Sequence, residues 1–165
     1  MKPGFLATVS LILPFCWSAS VGAGEIAQLR QLQATNVCHR CDLSEMNLQG
    51  IQLQQANLVG TTFLAARLNN ATLSQSDLTQ VAFIQADLRG ANFSSAKMHL
   101  TKLYGANLAG ADLSYANLQR ADLRDANLSN ANLRGADLRG ADLEGTRLAG
   151  ANLSSAIMPN GDLQP

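Results

Sequence analysis

The chain has 165 residues, of which 47% are hydrophobic and 15% charged, and its acidic and basic residues balance to a formal net charge of zero. These proportions are typical of a folded protein of one domain and argue against disorder over most of the chain. With only 5% aromatic residues, a core of large interlocking rings is excluded. The charge balance also argues against nucleic-acid binding, which needs a concentrated basic face.

Residues 1–23 have the layout of a secretory signal peptide. Lys2 precedes a nearly unbroken apolar run from Phe5 to Trp17, and mostly small residues follow up to Ala23. Cleavage is expected after Ala23, with Ala19 as the alternative. An uncleaved membrane anchor is disfavoured because a bilayer span needs about 20 apolar residues and this run is shorter. The mature protein is therefore predicted to be exported and to have no stable membrane insertion.

Residues 24–37 are predicted to form an N-terminal capping helix and a linker. Ile26, Leu29 and Leu32 fall on one side of such a helix. This apolar side would cover the first repeat of the domain that follows, because the end of a repeat array exposes apolar side chains and unpaired backbone groups. A frayed linker after the signal peptide is the alternative interpretation.

Cys38 and Cys41 form a C-x-x-C motif directly after this segment. In an exported protein the motif favours a disulfide that joins the cap to the first repeats, with free thiols as the alternative. Zinc would need two further ligands, yet His39 lies inside the motif and His99 is distant in the sequence. A redox motif would open a helix beside a βαβ unit, and repeats follow instead. The motif therefore predicts neither a metal site nor a cofactor.

One apolar residue recurs at every fifth position from Leu43 to Leu163, which makes 25 centres: 20 Leu, three Phe and two Met. Ala lies two positions before the centre in 16 of them, and Asp or Asn lies directly before it in 16. On an α-helix these centres would spread around all sides, and on a straight strand they would alternate between faces. Short extended segments joined by corners keep every centre on one side. The repeat therefore predicts a solenoid.

These residues resemble the pentapeptide-repeat family, whose motif is Ala, Asp or Asn, Leu and two variable residues. The segments 121–125 and 131–135 match that motif directly. The resemblance implies an all-β solenoid over residues 38–165, a right-handed quadrilateral β-helix with four pentapeptides per coil and about six coils. The signal peptide predicts the periplasm or an equivalent exported compartment, with secretion as an alternative. Exported members of the family are common in cyanobacteria, so the resemblance adds the thylakoid lumen as a further compartment.

A 20-residue coil would place residues 20 apart above one another. Phe63 would then stack on Phe83 in the core, with Phe93 on the opposite side. An outward apolar column would also form, at Leu64, Ile84 and Tyr104. Because outward Leu and Ile have no core role, this column is a candidate surface for a protein partner or for self-association. Exposed apolar residues without a function are the alternative.

The repeat domain shows no arrangement of nucleophile, base and orienting group, so the chain is expected not to be an enzyme. The predicted function is a protein-binding or scaffold module in an exported compartment, with an unknown partner. A DNA mimic that inhibits or protects a topoisomerase, a role known in the family, is an alternative that the neutral charge and the signal peptide disfavour. A purely structural envelope protein is the other alternative.

Overall fold

The computed structural model describes residues 23–165, and the rest of the predicted signal peptide, residues 1–22, lies outside the described residues. The described part contains one α-helix, α1 (Ala23–Thr35), followed by a regular series of β-bridges. The helix begins one residue before the predicted cap and ends two residues before the predicted end of the linker. No helix within these residues has the length and apolar character needed to span a membrane.

The β-bridges connect residues 20 positions apart, all in parallel from Val37–Asn57 to Asp137–Ile157. They recur every five residues along the chain, so four bridges occur in each stretch of 20. At one such bridge the Leu43 N–H donates to the Thr62 carbonyl at 2.8 Å, and the Thr62 N–H donates to the Cys41 carbonyl at 2.9 Å. The chain therefore winds into stacked coils, which lie about 4.8 Å apart.

The core consists of the repeat centres and the small residues two positions before them. In the middle of the repeat, Leu123 is 0% exposed and Ala121 is 1% exposed. A few small positions hold hydroxyl residues, and these are paired inside the core. The hydroxyls of Thr101 and Thr146 donate to carbonyls of the preceding coil, at 3.0 and 2.8 Å. The interior therefore accepts a side-chain hydroxyl where a carbonyl is in reach, because a buried polar atom is costly only when it is unpaired.

The two residues after each centre form the corner of the coil. A backbone bond closes the corner, as between the Ala126 N–H and the Leu123 carbonyl at 3.0 Å. The second corner residue has a positive φ, the feature of a type II turn. Gly110 adopts it at 69° without a steric penalty, and Leu100 adopts it at 57°. The frequent glycine in the motif is explained by this backbone requirement.

The Asp or Asn before each centre stabilises the corner from its side chain. The Asp112 Oδ1 atom accepts the Ser114 N–H at 3.0 Å, across the intervening Leu113. All 15 Asp and Asn residues that occupy this position between Asp42 and Asn152 make the same bond. Short polar side chains favour such local turns. This bond gives the residue preference in the repeat a physical cause.

The N-terminal end of the coil stack is covered by α1. Leu32 is 0% exposed and Leu29 packs against the core, whereas Ile26 is 36% exposed, so two of the three predicted apolar residues contact the repeat. The Gln28 Oε1 atom accepts the Asp42 N–H at 2.8 Å. One coil later the equivalent N–H, that of Thr62, donates to a carbonyl of the preceding coil. Gln28 therefore supplies one of the acceptors that a preceding coil would provide, and the Thr35 hydroxyl accepts the Val37 N–H in the same way, at 3.3 Å.

The C-terminal end departs from the sequence prediction at Leu163. After Asn160 the chain reverses, and Leu163 forms an antiparallel bridge with Ile157 of the last coil. The Leu163 side chain is 68% exposed. The prediction that it is the last inward centre is wrong, because the reversal pairs this residue with its own coil and begins no new one. Met158 is the last centre of the repeat.

Candidate docking surface

Three apolar side chains lie in one column on the outside of the coils: Leu64, Ile84 and Tyr104. Leu64 and Tyr104 are 40% and 41% exposed, and Ile84 is half-buried. Backbone bonds keep the column in register, since the N–H of Ala65 donates to the Ile84 carbonyl at 2.9 Å and that of Gln85 to the Tyr104 carbonyl at 3.0 Å. We call these three residues the apolar stripe.

The apolar stripe lies over the aromatic part of the core. The rings of Phe63 and Phe83 are stacked, with centroids 5.1 Å apart and an angle of 11° between their planes. Phe93 comes from the opposite side and meets Phe83 edge-on at 5.9 Å. Both geometries are favourable for aromatic pairs. All three rings are 0% exposed, and none of the stripe residues is among the partly buried hydrophobic residues that pack against the core.

Arg124 borders the C-terminal end of the stripe. Its guanidinium lies 5.7 Å from the centroid of the Tyr104 ring. The same group donates to the Asp122 carboxylate at 2.7 and 2.8 Å and is 3.6 Å from Asp142. The hydrogen bond from Arg124 lowers the pKa of Asp122 from its usual value. The ion pair is exposed and adds little to stability, but it holds a cation against the edge of the stripe.

The N-terminal end of the stripe is bordered by acidic and hydroxyl residues of the preceding coil. The Asp42 Oδ1 atom accepts both the N–H and the hydroxyl of Ser44, at 3.1 and 2.6 Å. Glu45 follows in the second corner position and is exposed. Small residues lie beside the stripe at Ala65, Ala82 and Gly105, together with the exposed side chains of Gln85 and Lys102.

Cys38 and Cys41 lie together between α1 and the first coil. Both are buried, at 0% and 7% exposed. Their Cα atoms are 5.6 Å apart and their sulfur atoms are within bonding distance, a geometry typical of disulfides. His39 is exposed on the outer side of the coil. Among residues 23–165 no group of three or more His, Cys, Asp or Glu side chains is placed to hold a metal ion.

A shallow depression is found beside Gly60. Its lining consists of Arg40, Gln80, Leu100 and Lys102 in addition to Gly60. These residues offer two cations, an amide and an apolar group. Catalysis would need a nucleophile or acid within reach of a base and an orienting group. The depression does not provide that combination.

The sequence of the coils matches a known family model. The model described as pentapeptide repeats matches in eight copies, over residues 37–75, 66–103, 101–140 and 131–164. The chain belongs to the pentapeptide-repeat family. This match confirms the resemblance inferred from the motif, and proteins of the family fold as right-handed quadrilateral β-helices. No curated protein sequence matches the chain.

Several solved pentapeptide-repeat structures are similar to this pentapeptide-repeat protein. Rfr23 from the cyanobacterium Cyanothece 51142 is 33% identical, with 77% of this chain and 93% of that chain covered and a TM-score of 0.43. A pentapeptide-repeat protein of the Arabidopsis thaliana thylakoid lumen is 28% identical, with 73% and 70% covered and a TM-score of 0.39. The plasmid-mediated fluoroquinolone resistance protein QnrB1 is 19% identical, with 78% and 76% covered and a TM-score of 0.32.

Two residues of this pentapeptide-repeat protein make contacts that the sequence did not predict: Arg124, which was expected only to pair with Glu144 on the surface, and Gln28, which was expected to face water. Arg124 contacts Tyr104, and its position 20 residues later is the signal that could have found it. Gln28 bonds to Asp42 across 14 residues. No periodicity links those two positions, because one is in the helix and the other in the repeat.

Proposed function

We propose that this pentapeptide-repeat protein is a non-enzymatic binding module of an exported compartment, and that it presents the apolar stripe to a protein partner. The observation that carries the proposal is the alignment of Leu64, Ile84 and Tyr104 outside a core that is already closed. Single exposed apolar residues are ordinary on protein surfaces, whereas contiguous ones mark interaction sites. A rigid solenoid suits this role because its register fixes the spacing of the side chains.

The proposed architecture is a rod of about six coils, right-handed as in the family, with α1 as its N-terminal cap. The bridges from Val37 to Ile157 support the coil number, since they span six steps of 20 residues. The burial of Leu32 and the Gln28 bond support the capping role. A Cys38–Cys41 disulfide would fasten the cap. It closes a very short loop, so its stabilisation belongs at the low end of the usual range, about 2 kcal/mol.

The proposed compartment is the periplasm or the thylakoid lumen. Support comes from the signal-peptide layout of residues 1–23 and from a C-x-x-C motif whose sulfur atoms lie within bonding distance. N-terminal sequencing of protein purified from the native organism should find Gly24 as the first residue. Finding residues 1–23 still attached to the mature protein would contradict export.

Photo-cross-linking tests the docking role of the stripe. A photoreactive phenylalanine analogue at position 104 is expected to capture a partner in the native compartment. Leu64→Ser with Ile84→Ser should abolish that capture and leave thermal melting nearly unchanged, because neither side chain belongs to the closed core. Tyr115→Ser is the matched control, since Tyr115 is 59% exposed on another side of the rod. Capture that persists in the double variant would contradict the proposal.

Sedimentation of the purified protein tests whether the partner is a second copy of the chain. If it is, the wild type should show a concentration-dependent increase in mass that the double variant lacks. A monomeric wild type together with a captured band of different mass would assign the stripe to another protein.

A further inference from the structure

The 20-residue register separates charges that the composition shows as balanced. Residues 42, 62, 82, 102, 122 and 142 lie in one column of the rod. We call this column, together with the two corner residues that lie two and three positions after each of its members, the stripe face. Its acidic residues are Asp42, Glu45, Asp122, Asp125, Asp142 and Glu144. Within this strip only Lys102 and Arg124 oppose them, so six negative and two positive charges give a net charge of −4, while Arg40 and Arg120 lie in the corner column on its other side. The remaining positions of residues 37–160 hold eight basic and four acidic residues.

The acidic residues lie at the two ends of the apolar stripe. Asp42 and Glu45 lie one coil before Leu64, and Asp122 and Asp125 lie one coil after Tyr104. Beside the middle of the stripe lie uncharged residues, among them Ala65, Ala82 and Gln85, and the cation of Lys102. The whole strip covers five coil steps, about 24 Å. An apolar centre with a charged rim is the usual anatomy of a protein interface.

Arg124 shows that the C-terminal end of this strip accepts a cation. Its guanidinium contacts the Tyr104 ring at 5.7 Å and two carboxylates, those of Asp122 and Asp142. Even with this cation in place, the carboxylates outnumber the positive charges at that end. A partner that brings further lysine or arginine side chains would therefore meet a favourable potential.

The spacing of the stripe favours a helix over an extended segment. Successive stripe residues are about 4.8 Å apart along the rod, close to the 5.4 Å pitch of an α-helix. Residues on one side of an extended strand are about 6.8 Å apart, so after two contacts they would no longer lie opposite the stripe residues. A helix of about 16 residues is long enough to span 24 Å. Each of its turns could meet one stripe residue.

We propose that the partner of the apolar stripe presents a cationic amphipathic helix that lies parallel to the rod axis. Its apolar residues, spaced by three and four positions, contact Leu64, Ile84 and Tyr104. Its lysine and arginine side chains contact the carboxylates at the two ends of the strip. This inference rests on the proposed function, because it names the class of partner for the same surface.

Fluorescence anisotropy with two synthetic peptides tests the inference on the purified mature protein. Both labelled 18-residue peptides carry leucine at helical spacing, and their polar positions hold lysine in one and glutamate in the other. The lysine peptide is expected to bind at least tenfold more tightly, and its affinity should fall as salt screens the carboxylates. Equal binding of the two peptides, or a preference for the glutamate peptide, would overturn the inference.

Charge-neutralising variants separate the two proposals. Glu45→Gln with Asp122→Asn and Asp125→Asn should weaken the lysine peptide about tenfold, and asparagine at 122 retains the Oδ1 acceptor that the corner uses. Asp77→Asn with Asp112→Asn, on other sides of the rod, is the control and should have no effect. If only Leu64→Ser with Ile84→Ser abolishes binding, the stripe is a docking surface but its partner is not cationic. If that double variant also binds normally, both proposals fail.

Discussion

The two ends of the coil stack are finished in different ways. At the N-terminal end α1 buries Leu32 completely, and the Gln28 side chain accepts the Asp42 N–H of the first coil. At the C-terminal end a short return segment pairs with one side of the last coil, through Ile157 and Leu163. The other sides have no following element within the described residues. One end is therefore capped by a helix, and the other is capped on one side only.

This difference shows that the repeat alone does not supply a closed core. Leu138 is 1% exposed, whereas Leu143, Leu148 and Leu153 of the last coil are only half-buried. Their N–H groups also have no backbone acceptor among residues 23–165, since these residues contain no further coil. Local stability should decrease toward that end. The motif is the same in the last coil, so the change in burial comes from the missing neighbour.

Introducing a charge at each end should give the largest difference between the two ends in the free energy of unfolding. Leu32→Asp buries a carboxylate under α1 and removes an apolar contact, so it is expected to lower the free energy of unfolding by at least about 3 kcal/mol. Leu163→Asp changes a mostly exposed residue and should cost less than about 0.5 kcal/mol. Urea unfolding followed by circular dichroism measures both. Equal losses would show that the two ends do not differ as described.

Truncating one repeat centre in the first coil and one in the last coil should give a smaller difference in the free energy of unfolding. Leu43→Ala removes a completely buried side chain and is expected to cost about 2–5 kcal/mol. Leu153→Ala, at a half-buried centre of the last coil, should cost about 1 kcal/mol, because solvent already reaches its side chain. Thermal and urea unfolding of the two variants check the order. A larger loss for Leu153→Ala would contradict the open end.

Removing the side-chain cap should have a local effect. Gln28→Ala deletes the acceptor of the Asp42 N–H and is expected to cost about 1 kcal/mol. Hydrogen exchange at the Asp42 amide should accelerate, while the amide of Asp122 in the middle of the rod should not change. Gln33→Ala is the matched control, since the Gln33 side chain is exposed on the same helix. Unchanged exchange at Asp42 in the Gln28 variant would refute the capping bond.

The smallest effect is expected for the pH dependence of stability at Asp137, in the coil before the last. The hydrogen bond from Arg139 lowers the pKa of Asp137 to about 2, below its usual value of 3.8. A carboxylate with a lowered pKa stabilises the fold above the unfolded value, and this contribution is lost as the pH falls from about 4 toward 2. For an exposed pair it should remain below about 1 kcal/mol. Carboxyl NMR titration should show the pKa rising in Arg139→Gln, and an unchanged value would contradict the pairing.

The interior of the rod follows from the sequence more completely than its surface does. The spacing of Leu and Ala identifies the inward positions and the corners, since few backbones keep every fifth residue on one side. The number of sides per coil does not follow from that spacing, because a period of five is compatible with several polygons. It came from the family resemblance, and the bridges from residue 37 onward join residues 20 positions apart, which is consistent with four sides.

The limits of sequence reasoning are clearest at Leu163 and at the stripe face. Leu163 satisfies the spacing of the motif, but a motif cannot indicate that the chain reverses here and pairs with Ile157. The charges of the stripe face come from residues up to 102 positions apart, from Asp42 to Glu144. Only the 20-residue register brings them onto one side. Net charge over the whole chain therefore concealed the acidic strip.

Amide hydrogen exchange at the repeat centres is the most direct measurement of the stacked coils and their open end. Each centre up to Leu138 donates its N–H to the carbonyl 19 residues later, as from Leu103 to Asp122 at 2.7 Å. These amides are expected to exchange slowly, and those of Leu143, Leu148 and Leu153 at least about a hundredfold faster. Protection that continues unchanged through Leu153, or that is missing at the earlier centres, would contradict the 20-residue stacking.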